Sequence, residues 1–63
     1  MSAFVVIHGE EFWVGMPSKR WTKDVAEARK YATRIAAESG VFRIKKFDPT
    51  RDATLLKVTE VNA

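Results

Sequence analysis

At 63 residues the chain holds one domain at most, and its core is marginal, because a domain this short buries only about 60% of the surface its unfolded chain exposes. With no cysteine and one histidine, disulfides and thiolate metal ligands are excluded and a zinc site would have to rest on carboxylates, so neither a metal nor a cofactor is expected. The 46% hydrophobic content excludes a disordered chain, and the net charge of +3, from 11 basic and 8 acidic residues, admits a phosphate-bearing or acidic partner while arguing against mimicry of DNA by negative charge.

Ala3 to Ile7 is rich in β-branched residues and predicts a strand. Phe12 to Val14 predicts a second, and Gly9-Glu10 between them suits a two-residue type II′ turn, since glycine accepts positive φ at the first central position. Gly15 to Arg20 reads as a loop around Pro17, and Trp21 is expected to close one end of the core. A helix is predicted from Thr22–Asp24 to Ser39: Asp24 and Glu27 resemble a capping box, and Val25, Ala28, Ala32, Ile35 and Ala36 form a stripe at helical spacing. Gly40 then suits the left-handed position after a helix end. Val41 to Phe47 alternates, with Phe42 and Ile44 on one face and Arg43 and Lys45 on the other, and predicts a third strand. Asp48 to Asp52 is a turn and Thr54 to Thr59 a fourth strand. The expected fold is a single α+β domain over residues 1–63, in ββαββ order, with one helix on one face of a small antiparallel sheet.

Only one cluster has a catalytic or metal flavour, His8 with Glu10 and Glu11. General acid–base chemistry needs such groups to converge on a reacting atom, and a histidine in an exposed turn has no pocket around it, so a solvated turn is the plainer reading. No nucleophile elbow surrounds Ser2, Ser18 or Ser39, and Gly9, Gly15 and Gly40 are isolated rather than a phosphate loop. No catalytic residue is therefore expected.

The aromatic and basic residues are more informative. Trp13, Arg43 and Lys45 are expected to share the sheet face away from the helix, with Lys19 and Arg20 beside Trp21. Aromatics among cations stack bases and neutralise phosphates, and Trp with Arg serves a protein interface equally well. Trp13, Lys19, Arg20, Arg43 and Lys45 are the expected partner-binding residues. An open sheet face or edge also invites a homodimer. The longest apolar run, Ala3 to Ile7, is too short to span a bilayer, and Met1 to Phe4 carries no basic leader, so no membrane partner and a cytoplasmic location are expected.

Phe12-Trp13, Arg20-Trp21-Thr22-Lys23-Asp24 and Ala28-Arg29-Lys30-Tyr31-Ala32 together resemble small accessory proteins of bacteriophages and mobile elements, some of which are anti-CRISPR proteins. That resemblance implies a non-catalytic inhibitor in the host cytoplasm that occludes a host protein or ribonucleoprotein complex, such as a CRISPR effector. The alternative from the same residues is a small nucleic-acid-binding module with a basic and aromatic sheet face.

Overall fold

The structure is a computed structural model that describes residues 2–16 and 18–62. Strands β1 (Ser2–His8), β2 (Glu11–Met16) and β3 (Lys19–Thr22) precede a single α-helix, α1 (Arg34–Phe47), and strand β4 (Leu56–Asn62) follows it. Short 3₁₀ turns occupy Val25–Glu27 and Ala53–Leu55. All pairing is antiparallel, in the order β3-β2-β1-β4. The α+β class and the single helix on an antiparallel sheet hold, but the element order is βββαβ rather than ββαββ.

The first hairpin forms as its sequence predicts. His8 pairs with Glu11, Ile7 pairs with Phe12, and Gly9 carries the turn at φ +64°. The expected loop from Gly15 to Arg20 is instead the tip of a second hairpin, with Met16 paired to Lys19; Pro17 lies outside the described residues. A bulge between Trp13 and Met16 shifts the register, and Gly15 supplies the positive φ of 78° there.

Beyond Ile7 and Phe12, β1 and β2 have no further paired residues. The segment after β3 uses the space. Arg29 N–H donates to the Trp13 carbonyl at 2.9 Å, and Phe4 and Tyr31 exchange both backbone hydrogen bonds at 2.7 and 2.8 Å. Before this point Glu27 accepts from the Thr22 hydroxyl, on one side of the sheet. After it α1 packs on the opposite side, where Val6, Trp13, Ala37 and Ile44 form the core with Phe4, Trp21, Tyr31, Val41, Leu56 and Val58 around them. The chain thus crosses from one face of the sheet to the other, which explains why the neighbours Val5 and Val6 are both fully buried.

The predicted helix from residue 22 or 24 to 39 forms only over its last part, residues 34–39. Asp24 caps only the 3₁₀ turn, accepting from Ala26 N–H at 2.9 Å, and Ala28 to Tyr31 is extended because the sheet takes its backbone groups. Tertiary pairing overrides the alanine-rich helical spacing here. The observed helix begins ten residues later. Thr33 caps it by accepting from Ala36 N–H, and Lys45 and Lys46 in the last turn suit the negative end of the helix dipole. The predicted strand from Val41 to Phe47 is the second half of this helix. Gly40 does not terminate it: a Cβ there would lie 2.6 Å from the Tyr31 hydroxyl, so glycine lets the helix close on that ring.

Candidate functional site

α1 carries three stripes along its length. Ala37, Gly40 and Ile44 are buried against the sheet. On one flank Ala36, Ser39, Gly40, Arg43 and Phe47 line a recess of about 400 Å³ with Trp13, Gly15, Arg29 and Tyr31. On the other flank Arg34, Glu38, Val41 and Phe42 form a groove of apolar and charged side chains with Leu56, Lys57 and Val58 of β4. Within each set members recur at i, i+3, i+4 or i+7, the helical repeat.

The recess is aromatic and cationic. Trp13 packs edge-on against Trp21 (ring centroids 5.2 Å) and Phe47 (6.0 Å). The Arg20 guanidinium lies 4.8 Å above the Phe47 ring, and that of Arg29 lies 5.7 Å from the Tyr31 ring. No carboxylate lines the recess. Among the described residues, Arg20, Arg29 and Arg43 form no ion pair. The Trp13 indole N–H and the Tyr31 hydroxyl make no hydrogen bond to a described residue, and neither is a buried polar atom without a partner.

The five residues expected to bind a partner are divided by this arrangement. Trp13 is not on an open sheet face; it is 7% exposed and turned toward α1. Arg43 and Lys45 are on the helix, not on a strand. Trp13 and Arg43 line the recess, and Arg20 is not part of its lining but stacks on the Phe47 ring that is. Lys19 is held at 3.1 Å by Glu27, and Lys45 lies on the opposite flank, 5.4 Å from the Phe42 ring. Arg29, Tyr31 and Phe47 join the site although none is among the expected partner-binding residues. Arg29 and Tyr31 are two residues apart, a strand spacing, inside a stretch whose composition spoke for helix.

His8 sits in a structural network. Arg51 donates to Glu11 at 2.7 Å, lies 4.4 Å above the Trp21 ring and faces His8 Nδ1 at 3.5 Å. The ring proton therefore belongs on Nε2, which donates to the Asp52 carbonyl at 3.1 Å. Trp21 N–H donates to Asp48 at 3.2 Å. A Thr50 hydrogen bond, then the Trp21 one, with the charges of Arg20 and Arg51 adding, holds the Asp48 carboxyl below its ordinary value. Asp52 is lowered in the same way by Thr54. These contacts tie the 48–55 loop to the first hairpin. No group of three or more His, Asp or Glu among the described residues is placed to hold a metal ion, and no helix is long and apolar enough to cross a membrane.

Compared with protein families, with curated proteins and with solved structures, the chain matches none.

Proposed function

We propose that the chain is a non-catalytic binding domain that docks on a host protein or ribonucleoprotein complex, as small phage and mobile-element inhibitors do, and acts by covering a surface that complex needs. One observation carries the reading. Ile35 and Phe42, two turns apart on α1, are 76% and 68% exposed, and Phe42 lines the groove to β4 with Val41, Leu56 and Val58. A chain with so small a core gains nothing by leaving such side chains in water, and large apolar side chains exposed at a groove favour an interaction site. Lys45 over Phe42 and Arg34 at the groove supply the charged rim of an interface. The steric mechanism needs no reacting group.

The test is a tagged pull-down from bacterial lysate, with and without nuclease, using the natural chain and a Phe42→Ala variant. A stoichiometric protein that survives nuclease and is retained at least about tenfold less well by the variant supports docking through this face, the size expected for one hot-spot side chain. Equal retention by the variant places the interface elsewhere. A second reading, a nucleic-acid-binding module, is favoured by Arg29 and Arg43 at the recess, which form no ion pair among the described residues. Its mark is capture that vanishes with nuclease and weakens steeply with salt.

A further inference from the structure

We infer that the recess between α1 and β2 is a binding site for one phosphate-bearing nucleotide. It lies on the flank of α1 away from the Phe42 groove, so the inference stands apart from docking through that groove. Its volume of about 400 Å³ suits a small ligand. Trp13, Tyr31 and Phe47 contribute aromatic rings to its wall, with Arg29 set against Tyr31 and Arg20 against Phe47, and a base would stack among them. Arg29 and Arg43 give it two guanidiniums that no carboxylate neutralises, and their forked donors match phosphate oxygens. The indole N–H of Trp13 and the hydroxyl of Tyr31, neither hydrogen-bonded to a described residue, add donors. A site rich in donors selects an anion rich in acceptors. A carboxylate alone would engage the arginines and leave the aromatic walls unused, whereas a nucleotide engages both. Gly15 and Gly40 let the backbone approach two of these rings closely: a Cβ would meet the Trp13 indole at 3.0 Å in one case and the Tyr31 hydroxyl at 2.6 Å in the other.

The nucleotide could come from two sources, a free mononucleotide or one unit of a single strand. The experiment titrates the full chain with adenosine 5′-monophosphate, adenosine, inorganic phosphate and a single-stranded oligonucleotide. The readout is the indole N–H resonance of Trp13 and the backbone amides of Gly40 and Arg43. The monophosphate should move these signals saturably, with adenosine and phosphate each binding at least about tenfold more weakly, because each keeps only half of the contacts. Arg29→Gln and Arg43→Gln should each weaken the monophosphate by about tenfold, the loss of one charge-assisted hydrogen-bond set. An oligonucleotide at least about tenfold tighter than the monophosphate identifies a single strand as the source, since added phosphates release counterions; equal affinity identifies the free nucleotide. Trp13 and Gly40 signals that stay fixed with both at millimolar concentration overturn the inference. So does an acidic peptide that moves them where nucleotides do not. Should a glutamine variant fail to fold, the titration of the unaltered chain still decides.

Discussion

Gly40 sits in the interior of α1, where alanine would ordinarily favour the helix by about 1 kcal/mol. Here the contact with Tyr31 outweighs that preference. The added methyl would meet the Tyr31 Cζ at 2.9 Å as well as its hydroxyl, and the Tyr31 backbone is fixed by its two hydrogen bonds to Phe4. Gly40→Ala should destabilise the domain by about 1–3 kcal/mol, the usual range for an overpacked core. Urea unfolding measures it, and a variant as stable as the natural chain would show that the ring yields freely. A glycine after an alanine-rich stretch signals a helix end just as well as a close approach, so sequence could not tell these roles apart. Gly9 was legible because its turn is local: two residues between two strand-like runs demand positive φ there.

At the scale of elements, the second half of α1 is the sharpest difference between expectation and structure. Phe42 and Ile44 are two residues apart. In a strand they would share a face and a burial; in the helix they point to different sides, 68% and 1% exposed. Ile44→Ala should therefore cost about 2–5 kcal/mol, while Phe42→Ala should change folding stability by about 0.5 kcal/mol or less. Similar costs in thermal or urea unfolding would contradict the helix. The β-branched and aromatic content of Val41 to Phe47 favours a strand locally, and Ala28 to Tyr31 favours a helix locally. Both preferences, each well under 1 kcal/mol per residue, are reversed by backbone pairing and core contact. Trp13, Arg20 and Arg43 were legible as chemistry, since their types suit anions and aromatic contacts. Their arrangement around α1 was not, because it depends on a helix placed ten residues further along.

At the scale of the whole molecule, long-range polar contacts complement the small core. Arg51 reaches Glu11 and Trp21, and Trp21 reaches Asp48, so the 48–55 loop is fastened to the sheet. Asp48 and Asp52 have folded-state values below the ordinary 3.8. A depressed carboxyl contributes stability that is fully present above its unfolded value and is lost as pH falls through its folded value. Stability should hold from neutral pH down to the ordinary carboxyl range and then fall, and Asp48→Asn should make that acid limb shallower. Thermal unfolding across the acid range reads this, and an unchanged limb in the variant would remove Asp48 from the network. The outer edge of β4, seven residues long, carries no further strand among the described residues, so the expectation of self-association keeps a structural location.

The sequence by itself determined the α+β class, the first hairpin with its glycine turn, the turn after residue 47 and the strand-forming character near residues 54–59. Each follows from contacts between residues close in the chain or from composition. Only the tertiary structure decided where the helix lies, that Trp13 faces it, and that Arg29 and Tyr31 join Arg43 and Phe47 around one recess. The reason is the crossing between β1 and β2. The segment around residues 29–31 satisfies its backbone on strands roughly 16 to 27 residues earlier in the chain, and no local pattern encodes a partner at that distance.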